Sequence, residues 1–343
     1  MKRLKKSTTA RKLTNENGEK GAAPTCQFHY SFLKIISGSD LSRRRLPYMQ
    51  AISNQPGPLL WITACSHGEE VGGMVVVQEV FKRLRKTPLI RGSLHAFPLL
   101  NPMGFEMGTR NITLSGEDLN RSFPGNPRGT LAERIADKVF RLLSETKPAA
   151  VIDLHNDWIR SVPYTVLDPL RNEIPAVQFE CMNQLAQDTG FPVVIEPAPL
   201  KKSLSYSLAM CGITALTIEL GESYVVNENF VEFGVRSIFN LLSRFEMIAT
   251  TEPPFQHPLA AALGGRSLNY FNYPLSGSSG VIRFLVKPGQ HVRVGQPVAK
   301  VFNAFGRLQE TLLAQKDGLV LGNSDSSVAF PGAPIMAFGT HEP

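Results

Sequence analysis

Three runs of the chain are almost continuously apolar: Leu59–Ala64, Ala149–Leu154 and Ile213–Leu220. Each is too short for a helix of ordinary length and has no solvent-facing side, which predicts strands buried on both faces. Helical rhythm follows between them. Met74–Leu84 resumes after a break at Ser66–Gly68, and Thr130–Ser144 places Leu131, Ile135, Val139 and Leu142 on one face. Further helices are expected over Pro175–Thr189, Ser203–Cys211 and Val231–Phe245, another strand over Ser93–Leu100, and an edge strand over Leu46–Ile52. Strands alternating with helices predict an α/β fold built on an open, mostly parallel or mixed sheet. Asn101–Phe105 is a cluster of turn formers.

The rhythm changes near residue 256. Beyond it come short alternating runs, Gly280–Val286, Gln290–Val294, Gln296–Phe302 and Gly318–Leu321, separated by Gly and Pro turns. That spacing predicts a small all-β domain. The expected organisation is a basic disordered tail over 1–24, an α/β domain over 25–255 and a β-rich domain over 256–343.

Composition narrows the class. With 343 residues and 43% hydrophobic content, the chain has material for two packed cores. No stretch approaches the ~20 apolar residues of a membrane helix. The four cysteines show no paired spacing, which suits a reducing compartment and argues against a thiolate metal site. Most of the formal +7 charge sits on Lys2, Arg3, Lys5, Lys6, Arg11 and Lys12, so no basic stripe is expected on a folded face. Ser7–Ala10 follows these residues where a signal peptide would need an apolar core. These features predict a cytoplasmic protein that binds neither nucleic acid nor membrane.

Chemistry gathers at strand ends. His67, His155 and Glu219 each stand at the carboxyl end of an apolar run, and ligands in open α/β sheets sit outside that edge. If the strands are parallel, all three project from one edge. Glu70 follows His67 by three residues, a spacing that lets an imidazole and a carboxylate converge on one cation. A lone strand-end histidine is more often a satisfied core residue than a ligand; three such groups on three strands argue for a shared site. Asp153 lies two before His155 on the same face, placed either to orient that ring or for a plain structural role. The irregular stretch Gly108–Gly125 is longer than a compact domain usually tolerates without function.

The set His67-Gly68-Glu69-Glu70, Asn101-Pro102, Thr109-Arg110, Asp118-Leu119-Asn120-Arg121, Asp153-Leu154-His155-Asn156 and Ile218-Glu219-Leu220-Gly221 resembles the succinylglutamate desuccinylase/aspartoacylase family, in order across residues 60–222. The resemblance implies a zinc carboxypeptidase-like fold. It implies one Zn2+ held by His67, Glu70 and His155, and Glu219 as general base and acid. It further implies Arg110 polarising the scissile carbonyl, and Asn120 with Arg121 holding a substrate carboxylate. The loop between Arg110 and Asn120 is longer than in aspartoacylase itself, and Ser203–Cys211 lacks a further carboxylate-binding arginine. A general deacylase branch therefore fits better than aspartoacylase proper.

Pro288–Val298 resembles a biotinyl/lipoyl-type barrel-sandwich hybrid, yet the expected hairpin tip, Phe302–Gly306, has no lysine to carry a group. A structural or lid role is expected instead. The reading is a zinc-dependent amide hydrolase acting on an N-acyl amino acid or similar small carboxylate. A zinc carboxypeptidase on a peptide-like substrate, or a metal-binding module without catalysis, are the alternatives. Self-association is left open.

Overall fold

Burial on both faces organises the centre of the molecule. The structure is a computed structural model and describes residues 25–37, 41, 43–169, 174–250 and 253–341. The basic tail expected over 1–24 lies outside the described residues. In chain order come β1 (Cys26–Ser37), β2 (Arg43–Ser53), β3 (Leu59–Ala64), α1 (Gly72–Leu84), β4 (Ser93–Phe97), α2 (Pro102–Met107), α3 (Leu131–Glu145) and β5 (Ala150–His155). Then follow β6 (Arg160–Ser161), β7 (Pro163–Leu167), α4 (Ala176–Asp188), β8 (Val193–Ile195), α5 (Leu204–Ala209), β9 (Ala215–Leu220) and α6 (Glu228–Arg244).

β5 lies between β3 and β9, parallel to both, with Ile62 opposite Ile152 and Ile152 opposite Leu216. Alternate side chains leave opposite faces. Ile62, Ile152 and Leu216 meet Val76, Val80 and Phe81 of α1 and Val235 and Ile238 of α6. Trp61 and Val151 meet Ile135 and Val139 of α3 and Leu204 and Leu208 of α5. The expected amphipathic face of α3 is therefore used, and its start is fixed by a reciprocal cap between Thr130 and Glu133.

Two departures from the expected elements have simple causes. Asn101–Phe105 opens a helix rather than a turn: Asn101 accepts from the Gly104 amide, Pro102 fills the first turn, and Gly108 closes the helix in the left-handed region. β7 runs antiparallel to β9 and parallel to β8, making the sheet mixed. Its proline start hides it in the sequence.

The C-terminal strands continue the same sheet. After α7 (Pro258–Leu263), β10 (Leu268–Phe271) pairs parallel to β8, with Leu268 opposite Val194. The remaining strands are β11 (Gly280–Phe284), β12 (His291–Val292), β13 (Pro297–Phe302), β14 (Leu308–Leu313), β15 (Gly318–Asn323), β16 (Val328–Ala329) and β17 (Met336–Thr340). The large sheet runs β1-β2-β4-β3-β5-β9-β7-β8-β10-β17-β15-β12, and β6 joins through β15. A separate antiparallel sheet, β14-β13-β11-β16, packs Ile282, Val298, Val301 and Leu312 against Val320, Met336 and Phe338. The result is a mixed α/β fold extended by a β-rich region. The segment Asn303–Arg307 forms the hairpin between β13 and β14. There the Asn303 side-chain oxygen accepts from the Phe305 and Arg307 amides.

Candidate active site

The parallel register decides which residues meet. Because β5 and β9 pair in step, His155 stands directly opposite Glu219. β3 ends one strand over at Ala64, where Cys65 takes a left-handed backbone (φ 52°) and turns the chain into the His67 loop. That loop is pressed against α2. A Cβ on Gly68 would lie 1.9 Å from the Gly104 carbonyl carbon, so only glycine fits there. The Gly68 amide donates to Thr109 O, tying the loop to the segment that carries Arg110.

The strands and loops bring together one buried cluster. His67, Glu70 and His155 each offer a ligand atom, and these atoms lie within 4.8 Å of one another. His67 Nδ1 is 2.6 Å from Glu70 Oε1, and His155 Nδ1 is 2.7 Å from Glu70 Oε2. The far nitrogens also face carboxylates: His67 Nε2 lies 3.1 Å from Asp118 Oδ1, and His155 Nε2 lies 2.9 Å from Asp153 Oδ2. Asp153 is steadied in turn by the Thr63 hydroxyl at 2.6 Å.

This pattern tests the cluster's fitness for a metal. A neutral imidazole has one donor and one acceptor nitrogen. With Nε2–H given to Asp118 or Asp153, each Nδ1 presents a lone pair to a Glu70 oxygen. Two added protons or one shared cation are needed to reconcile those contacts. Two imidazoles and a carboxylate, oriented from behind by carboxylates, suit a zinc shell that keeps a position open. Burial alone would raise the Glu70 carboxyl, but the two histidines hold it well below the usual range. Burial opposes the charged form of His155, yet Asp153 and Glu70 raise it well above the usual value.

Glu219 differs from Glu70. Its Oε2 is buried without a hydrogen-bond partner. Burial pushes its carboxyl well above the ordinary range, opposed by His155 and reinforced by Asp157. Such a carboxylate is poised to take a proton. Arg110 reaches over the cluster, its Nε 3.2 Å from Asp118 Oδ2 and a terminal nitrogen 3.5 Å from Glu70 Oε1.

Asn120 and Arg121 sit in a short 3-10 turn, Leu119–Arg121, inside the long loop. Asn120 is buried, accepting from the Leu204 amide at 2.8 Å, with its Nδ2 3.2 Å from His155 Nε2. Arg121 donates to Asn120 O and makes no ion pair among the described residues. A cavity of about 360 Å³ touches all seven residues singled out from the sequence, together with Glu69, Asp157 and Asp325.

The sequence carried no sign of the contacts that several participants make. Asp118 stood inside a quoted motif, but its contact with His67 spans 51 positions. Asp157 Oδ2 accepts from the Tyr164 hydroxyl at 2.8 Å, and Tyr164 lies on the unread β7. Asp325 enters the cavity from the turn after β15 and accepts from the Ile159 amide at 2.7 Å.

Comparison with known proteins bears on the family of the chain. Residues 56–245, more than half of the chain, match the succinylglutamate desuccinylase/aspartoacylase catalytic domain. Over 303 residues the chain is 27% identical to the N-alpha-acetyl-L-2,4-diaminobutyric acid deacetylase of Halomonas elongata, covering 85% of each. The product-bound ectoine utilization protein EutE (DoeB) of Ruegeria pomeroyi superposes with a TM-score of 0.77 at 22% identity, over 91% of this chain and 95% of that one. A metallo-carboxypeptidase of Burkholderia cenocepacia shares the fold more distantly, with a TM-score of 0.51 at 17% identity over 62% and 64% of the two chains. None of the described helices is long and apolar enough to cross a membrane.

Proposed function

The chain belongs to the succinylglutamate desuccinylase/aspartoacylase family, and from its site we propose a zinc-dependent deacylase that hydrolyses the amide bond of an N-acyl amino acid or similar small carboxylate. One observation carries this reading: the convergent His67, Glu70 and His155 share a cavity with an unpartnered Glu219 carboxyl and two arginines.

Each residue has a role suited to its surroundings. His67, Glu70 and His155 hold the zinc; when bound, the metal supplies Lewis-acid chemistry and acidifies water. Glu219 accepts a proton from the attacking water and returns it to the leaving amine. Arg110, fixed by Asp118, meets negative charge as it develops on the carbonyl oxygen. Arg121 offers a planar fork to the substrate carboxylate. Asn120 lies against the His155 ring, and its backbone carbonyl accepts from the Arg121 guanidinium, which places it beside the same carboxylate. Asp153 and Asp118 orient the two histidines. The β-rich region beyond residue 256 borders the cavity through Asp325 and limits substrate size.

The test is a panel of N-acyl amino acids, their neutral amides and matched dipeptides with a free carboxyl end, assayed with the full chain by product release. Release of free amino acid from an N-acyl substrate, with zinc near one per chain, is expected. Cleavage of the dipeptides alone would replace this reading with a carboxypeptidase.

A further inference from the structure

Backbone, more than side-chain packing, decides where Arg121 points. Among the described residues its guanidinium donates to the carbonyl of its neighbour Asn120, at 2.8 Å, and to nothing else. Its direction therefore depends on how Asn120–Phe123 is held. Among the described residues, three hydrogen bonds tie that segment to the protein outside its own loop. The Leu204 amide donates to Asn120 Oδ1 at 2.8 Å, the Phe123 amide donates to Lys202 O at 3.1 Å, and Asn120 Nδ2 meets His155 Nε2 at 3.2 Å. Two of the three come from one short stretch, Leu200–Leu204, which links β8 to α5.

That stretch is itself held from the sheet. The Ser203 amide donates to Leu200 O at 3.0 Å, and Lys202 between them takes a left-handed backbone (φ 63°). A lysine keeps that conformation only where its surroundings fix it. The fixing contact comes from Asp168, whose Oδ1 accepts from the Leu200 amide at 2.8 Å across 32 positions. Asp168 is buried and follows β7 directly. The parallel pairing of β7 with β8, Leu167 opposite Ile195, sets it at the sheet end from which the chain leaves toward Leu200. Leu200 and Ser203 line the cavity beside Arg121, whereas Asp168 stands behind them. Burial raises the Asp168 carboxyl, and the Leu200 amide and the Arg121 charge work against it.

We infer that Asp168 is a positioning residue for the substrate carboxylate: through the Leu200 amide it anchors the Leu200–Leu204 turn, and that turn holds Asn120–Phe123 so that the Arg121 fork keeps one direction. The role presupposes Arg121 as the carboxylate handle of the proposed deacylase. A bidentate contact needs both nitrogens in line, so a loosened backbone beneath Arg121 weakens the grip on an acid and leaves a neutral amide nearly untouched.

The experiment measures kcat/KM with the full chain on the best-cleaved N-acyl amino acid of the panel and on its neutral carboxamide. Metal loss or partial unfolding slows both substrates alike and cancels in the acid-to-amide ratio. Asp168→Ala should lower that ratio by roughly 10-fold, mainly through a higher KM for the acid, with kcat within about 3-fold of the natural value. Asp168→Asn keeps an acceptor for the Leu200 amide and should hold the ratio within about 3-fold of the natural one. Should Asp168→Ala not fold, Asp168→Glu, which keeps the charge but displaces the acceptor, should lower the ratio likewise. In an Arg121→Ala background, adding Asp168→Ala should change the ratio by less than about 2-fold. An unchanged ratio in Asp168→Ala and Asp168→Glu, or a fall in Asp168→Asn as large as in Asp168→Ala, overturns the anchor while Arg121 stands as the handle. An Arg121→Ala variant that keeps the full ratio overturns handle and anchor together. Hydrolysis of no N-acyl amino acid overturns the deacylase reading itself.

Discussion

The cavity bordered by Phe191, Asn240, Phe255 and Arg266 encloses about 610 Å³, against about 360 Å³ for the one at His67 and Glu219. In the larger space the buried Asn240 and the charged Asp188 are paired within the protein. Asp188 pairs with Arg244, while Asn240 gives and takes hydrogen bonds with the Phe255 backbone. The smaller space holds Glu69 and Glu219, each with a buried oxygen left unbonded, around a knot of imidazoles and carboxylates. Interiors normally satisfy their polar groups, and among the described residues the two carboxylates with a buried unbonded oxygen both line this cavity. Unfinished hydrogen bonding of carboxylates, rather than volume, sets the candidate site apart.

The contrast is broken most severely by removing an imidazole. His155→Ala or His67→Ala should lose the zinc measured by elemental analysis and lower kcat by roughly 10³-fold or more, since a three-ligand shell cannot spare one member. Added zinc should raise the melting temperature of the natural chain after chelation but not that of either variant. Full zinc occupancy in both variants would sink the metal assignment.

Glu219→Gln is subtler because it preserves shape. It should keep the zinc and lower kcat by roughly 10²-fold or more. Activity within a few-fold of the natural chain would place the base elsewhere, with Asp157 the neighbouring candidate.

The arginines separate binding from chemistry. Arg121→Ala should erase the preference for an acid over its neutral amide, a loss of about 2–5 kcal/mol in transition-state stabilisation, and Arg121→Lys should recover little of it. Arg110→Ala should lower kcat more than it raises KM, because its contact strengthens as charge develops. Steady-state kinetics on acid and amide together resolve the two patterns; an undiminished preference for the acid in Arg121→Ala would exclude that residue as the handle.

The smallest effect belongs to the larger cavity. Arg244→Ala removes a half-exposed ion pair and should cost at most about 1 kcal/mol in chemical denaturation. Its kcat/KM should stay within about 2-fold of the natural value. A large loss of activity would mean that the larger space communicates with the site.

Legibility in the sequence followed burial. β3, β5 and β9 are enclosed on both faces, so their composition announces them, and the residues after them inherit a predictable place at the sheet edge. β1 is a half-exposed edge ribbon of mixed residues, and only its partner β2 was anticipated as an edge strand. The same turn formers that suggested a bend at Asn101–Phe105 instead bound a helix, because a cap and a break use the same residues. Asp118 and Asp325 show the harder limit. Each lies in a loop, and each gains meaning only from a strand end far away in sequence.

The seam where β10 joins β8 bears on how the molecule reaches its folded state. Val194 meets Leu268 there, and Ser161 meets Gly322 about half the chain away. Closing such long loops loses chain entropy before any contact compensates, which places these pairings late in folding. Until then β8 presents an open strand edge able to pair with another molecule. Asp325 takes its place in the cavity only with that late step. After dilution from denaturant, selectivity should therefore return more slowly than helical circular dichroism, and aggregation should peak in the interval between them.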